Sequence, residues 1–212
     1  MEINWLGHSS VSINSRDMIL ITDPYDSSEG TFMSPQKADI VTISHAASKH
    51  STVESVTGDP RIIDGPGEYE INNFYITGLG TALTTIEQGS SRQINTIYSI
   101  KAEGLTLCHI GALSQKLTPS QIDAIGQADV LFVPVTPPED EDNTTISETI
   151  TALQPRIVIP VQYTLGAPAE DLPNPAKFFD GIGATEKVPQ NRLTVTETNL
   201  PAETTPVLLN RQ

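Results

Sequence analysis

The feature that most limits how this chain can fold is a set of short apolar runs, each too brief for a helix and each cut off by a turn signal. Residues 39–43 read DIVTI, 129–135 read DVLFVPV and 156–160 read RIVIP. Runs of this length, rich in β-branched residues and lacking polar alternation, are strands buried on both faces. Around them the spacing predicts further strands. Residues 1–6, 9–13 and 18–23 read as a meander, with turns at Gly7-His8 and Asn14-Ser15. Residues 61–64 form another strand, and two more flank an Asn72-Asn73 turn. Residues 95–102 and 105–110 pair about Glu103-Gly104, and 193–195 and 207–209 close the sheets. Residues 79–93 read as polar and irregular.

Helical signals are short. Ser51 or Thr52 would cap a helix over 51–56, with Glu54 in its first turn. Thr118-Pro119 opens a helix that runs to about Ile125 and is ended by Gly126. Residues 147–153 and 175–181 read as two more, the last with Phe178 and Phe179 on its core side. Sixteen prolines and fourteen glycines agree with many short elements joined by turns.

At 212 residues the chain suits one compact domain, 1–212, with a sizeable core. No stretch approaches the roughly 20 apolar residues a bilayer span needs, and MEINWLGHSS lacks the basic start and apolar run of a signal peptide. The lone Cys108 excludes an internal disulfide framework and fits a reducing cytoplasm. Set in LTLCHI, it reads as a core residue rather than a nucleophile. With 26 acidic against 12 basic residues, the net charge of −14 repels phosphate backbones, which argues against nucleic-acid binding. The acidic run EDED at 139–142 reads as a solvated loop, with a Ca²⁺ or Mg²⁺ site as the minor alternative.

The chemistry-bearing stretch is ISHAASKH, which follows the DIVTI run. A buried strand ending in a loop with His45 and His50 can present metal ligands on a rigid support. The other two histidines are His8, either a turn residue with its ring in solvent or a residue of the same site, and His109, at a strand end. Further distinctive segments are WLGHSS, ILITDPY with Asp23, DGPGEYE, CHIGALSQ and IPVQY.

These segments, spanning nearly the whole chain, resemble the metallo-β-lactamase superfamily, in the branch of Zn-dependent hydrolases that includes ascorbate-6-phosphate lactonase-like proteins. The resemblance implies a mixed α/β (α+β) fold, an αββα sandwich of two mixed sheets with helices outside. It also implies seven positions for protein ligands to two metals: His45, Ala47, Lys49, His50, Leu83, Ala112 and Gln162. The family places histidines and carboxylates there; this chain keeps His45 and His50. Alanine and leucine offer no lone pair, an ammonium repels a cation, and a neutral amide is a weak ligand for zinc. Asp23 corresponds to a carboxylate that supports the ligands from behind, and His8 and His109 fall in or near the same pocket.

The expectation is therefore a fold that has lost its dinuclear site and carries no resident cofactor, serving as a binding or assembly module for an unidentified small molecule or protein, with no nucleic-acid or membrane partner and with homo-oligomers an option. The alternative is a hydrolase of esters, lactones or phosphodiesters with one zinc or other divalent ion on a rebuilt site of His45, His50 and either His8 or His109. A third reading is a metal-free enzyme in which Lys49 and a histidine act as an acid–base pair.

Overall fold

The meander forms as β1 (Glu2–Gly7), β2 (Ser10–Ser15) and β3 (Met18–Thr22), paired antiparallel in order. Its second turn lies at Arg16-Asp17, two residues later than the spacing suggests. Asn14 and Ser15 sit in β2, opposite Ile19 and Met18, and Arg16 takes a left-handed φ of 54° that closes the turn. The structure, a computed structural model, describes residues 1–25, 33–46, 51–83, 94–135, 144–163, 174–185 and 188–212.

After β3 come a two-residue strand β4 (Gln36–Lys37), then β5 (Ile40–Thr42), β6 (Val56–Thr57) and β7 (Arg61–Ile63). The helix expected over 51–56 is instead a single 3-10 turn, Val53–Ser55. Thr52 makes no side-chain cap bond, and Val56 is drawn into a parallel pairing with Gln36. The second half carries β8 (Gly67–Ile71), β9 (Phe74–Ala82), β10 (Ile94–Ala102), β11 (Leu105–His109), β12 (Val130–Pro134), β13 (Ile157–Val161), β14 (Leu193–Thr194) and β15 (Thr205–Pro206). Its helices are α1 (Pro119–Ile125), α2 (Thr144–Leu153) and α3 (Ala176–Gly181). Thr118 and Gln121 form the reciprocal cap of α1.

Two large mixed sheets result. One has the order β14-β1-β2-β3-β5-β7, the other β15-β13-β12-β11-β10-β9-β8. A main core joins Ile3, Val11, Ile13, Leu20 and Ile40 of the first sheet to Ile76, Ile97, Leu107, Leu131 and Val158 of the second. A smaller core holds Leu6, Ile21, Tyr25, Met33, Val41 and Val56. Successive residues of β3 and β5 thus enter different cores, which is why these strands read as unbroken apolar runs. Phe178 and Phe179 of α3 are buried in the main core as expected. Strand β9 continues through Gly78 and Gly80 to Ala82, so the front of the stretch read as irregular is strand. Gly78 is required there: a Cβ would stand 2.8 Å from the Gly65 carbonyl oxygen.

Candidate functional site

The segments that follow β1, β3, β5, β9, β11 and β13, with His109 as the last residue of β11, carry the residues singled out in the sequence. Asp23, fully buried and with a left-handed φ of 41°, caps the end of β3. Its Oδ1 accepts the Ser44 N–H at 2.7 Å and its Oδ2 accepts the Ser44 hydroxyl at 2.6 Å. With the Ser44 proton committed to Asp23, His45 Nδ1 donates to Ser44 Oγ at 3.0 Å. That pattern assigns the His45 lone pair to Nε2. Asp23 is thereby linked to His45 through the Ser44 hydroxyl.

Asn95, at the start of β10, is fully buried and joins three segments. Its Nδ2 donates to Thr81 Oγ1 at 3.0 Å and to the Ile110 carbonyl at 2.9 Å, and its Oδ1 accepts the Ala112 N–H at 2.9 Å. Next to it, the Thr96 N–H donates to the Ser44 carbonyl at 2.7 Å, tying the second sheet to the His45 loop. Gly111, with φ of 59°, is wedged between Asn95 and Ser44, and a Cβ there would lie 2.5 Å from Ser44 Cβ. The Tyr98 hydroxyl donates to the Ile43 and Ile63 carbonyls at 2.9 and 3.1 Å. Burial, and secondarily the charge of Asp23, hold this phenol far above its usual range, so it stays a donor.

His109 Nε2 donates to the Ser9 carbonyl at 2.9 Å, and its Nδ1 accepts the Gly111 N–H at 3.2 Å. Both ring nitrogens are thus committed, in a neutral tautomer, with Asp23 Oδ2 3.9 Å from Nδ1. Gln162, with φ of 59°, donates its side-chain amide to Ser9 Oγ at 2.7 Å and its backbone N–H to the His8 carbonyl at 2.9 Å. The same carbonyl accepts Trp5 Nε1 at 2.9 Å. His8 is buried against Tyr25, ring centroids 4.5 Å apart and edge-on. Of the two sequence readings of His8, burial removes the solvent-facing turn residue, and two donors hold its carbonyl inward.

Four of the seven family ligand positions fall among the described residues. They are His45, Leu83 one residue past β9, Ala112 and Gln162, all half-buried. Ala47, Lys49 and His50 lie outside the described residues, as does the acidic run at 139–142. Asp23 and His109 sit within the same hydrogen-bonded framework as His45. Both His109 nitrogens hold hydrogen-bond partners within that framework, the Ser9 carbonyl and the Gly111 N–H. Ser9, Ser44, Asn95 and Gly111 hold the site together, and none stands out in the sequence. The one available signal is the small and polar residues abutting the histidines in SHAAS and HIGA.

Comparison with known proteins agrees with this architecture. The profile of a family described as the Beta-lactamase superfamily domain matches residues 2–162. A UPF0173 metal-dependent hydrolase of Lysinibacillus sphaericus is 24% identical over 221 residues, covering 88% of this chain and 94% of the relative. A crystal structure from Thermotoga maritima, of a protein proposed to be a Zn-dependent hydrolase of the metallo-β-lactamase superfamily, is 29% identical. It covers 100% of this chain and 99% of its own, with a TM-score of 0.80. A structure from Parabacteroides distasonis, at 15% identity and a TM-score of 0.63, shares the fold over 98% of this chain.

Proposed function

The chain belongs to the beta-lactamase superfamily domain family, and from that premise we propose that it is a member without the dinuclear centre, acting as a binding module rather than a metallohydrolase. The observation that carries this reading is the donor chemistry at the described ligand positions. His45 offers one imidazole, whereas Leu83 and Ala112 offer nothing. Gln162 offers a neutral amide whose nitrogen is held by Ser9 Oγ. This set does not fit a pair of zinc ions, each of which needs at least three protein ligands and a water. Nor do the backbone amides near Ala112 form an oxyanion site: the Gly111 N–H is taken by His109 and the Ala112 N–H by Asn95. What survives is a hydrogen-bonded framework built by Asp23, Ser44, Asn95 and His109, which would serve to receive a small molecule or a partner's side chain. No helix of the described residues is long and apolar enough to cross a membrane.

The names carried by the relatives favour a second reading, a metal-dependent hydrolase with a remodelled site. One experiment separates the two. Protein is purified without a metal-affinity tag from zinc-supplemented cells, its zinc is measured per chain, and turnover of a lactone, an aryl ester and an aryl phosphodiester is followed with and without chelator. The binding-module reading requires far less than one zinc per chain and no chelator-sensitive turnover. Stoichiometric zinc with chelator-sensitive hydrolysis establishes the second reading instead.

A further inference from the structure

A concave site lies away from the His45 framework. Asn95, part of that framework, is the second residue of β10, and Glu103 follows the strand's other end. Along the strand the steps from Asn95 to Glu103 separate the two by roughly 26 Å at about 3.3 Å per residue. There the β2–β3 turn of one sheet meets the β8–β9 and β10–β11 turns of the other. They enclose an open groove of about 990 Å³ lined by Arg16, Asn72, Asn73, Tyr75, Glu103 and Gly104. That volume is at the upper end for small-molecule sites, roughly 300–1,000 Å³.

The walls are preorganised. Arg16, Asn72, Glu103 and Gly104 all have left-handed φ, between 50° and 75°, as tight turns demand. Asn73 Nδ2 donates to Ser15 Oγ at 2.7 Å, and Ser15 donates to Glu103 Oε1 at 2.7 Å. The Met1 ammonium donates to Glu103 Oε2 at 3.0 Å. This chain of bonds links the three turns across both sheets and neutralises the carboxylate locally. Among the described residues, the Arg16 side chain makes no ion pair.

Tyr75 is 54% exposed, one of few large apolar side chains that are. It stands in register between Glu70 and Lys101, so its flanks are charged and its ring is the apolar element of the groove. An anion would meet the field of a chain with net charge −14, and a cation would meet Arg16. A neutral ligand with many hydroxyls meets guanidinium donors, two carboxamides that both donate and accept, a carboxylate acceptor and an aromatic face. We propose that this groove binds a neutral saccharide, one to two sugar units long, by laying a ring on Tyr75 and exchanging hydrogen bonds with Arg16, Asn72 and Asn73.

The test is ligand-observed saturation-transfer NMR on the full chain with glucose, galactose, maltose, cellobiose and lactose as probes, and with benzoate as an anionic aromatic control. The expected result is transfer to at least one sugar, with its affinity reduced at least tenfold in Tyr75→Ala and in Arg16→Ala. Circular dichroism and thermal midpoints of both exposed-site variants should match the wild type. The proposal is overturned by absence of transfer to every sugar, by transfer that survives both substitutions, or by salt-sensitive binding of benzoate alone.

Discussion

Replacing Gly111 by alanine perturbs the point where the His45 loop, the Ala112 loop and Asn95 converge. Two costs add. With φ of 59°, an alanine there loses about 1 kcal/mol or somewhat more to left-handed backbone strain. Its Cβ would also overlap Asn95 Oδ1 and lie 2.5 Å from Ser44 Cβ and 2.8 Å from Ser44 Oγ. Neither neighbour can retreat cheaply. Asn95 would give up bonds to Thr81, Ile110 or Ala112, and Ser44 its bonds to Asp23. Two such buried bonds strained or lost add roughly 2–3 kcal/mol, for a total of about 3–4 kcal/mol. Gly183 is the matched control: its φ is 67° and no atom lies within 4 Å of the point a Cβ would occupy. Gly183→Ala should therefore cost only the backbone contribution, about 1 kcal/mol. Urea unfolding followed by Trp5 fluorescence measures both. Trp5 is the one tryptophan, buried and stacked on Tyr163 at 4.1 Å. Equal losses in the two variants would refute the idea that Gly111 is pinned between rigid neighbours.

Tyr98→Phe removes the donor to the Ile43 and Ile63 carbonyls and should cost about 1–3 kcal/mol in urea unfolding; no loss would mean the hydroxyl is dispensable. Burial pushes the Cys108 thiol from an ordinary 9.0 up to about 12. Its contribution is therefore whole below about pH 9 and lost as pH rises towards 12, because the unfolded chain sheds the proton first. The urea midpoint should fall between about pH 9 and 11, less steeply in Cys108→Ala, and identical slopes would exclude the thiol as a cause. Thr118→Ala removes the α1 cap and should cost roughly 0.5–2 kcal/mol, while Thr118→Ser should retain most of it in the same assay.

The strands that carry the site are legible in the sequence because they are buried on both faces, and DIVTI, DVLFVPV and RIVIP admit little else. The α1 cap is legible because Thr118, Pro119 and Gln121 act within one turn. What escapes depends on partners distant in the chain. Val56 reads as helical because nothing local announces its pairing with Gln36. The sequence leaves His8 open between solvent and the site because the Gln162 N–H that holds its carbonyl lies far along the chain. Asn95 and Ser44 look like ordinary polar residues at strand ends, yet their bonds to Ala112 and Asp23 tie the loops of the site together. Gly78 and Gly80 hide the continuation of β9, since glycine weakens a strand pattern even where close backbone packing requires it.

The most direct test of the proposal that this chain lacks a dinuclear centre is anomalous diffraction at the zinc edge from crystals grown with excess zinc. The expected map has no pair of peaks beside His45. Two peaks separated by about 3.5–4 Å, the spacing of a two-metal site, would contradict the account and return the protein to the metallohydrolases.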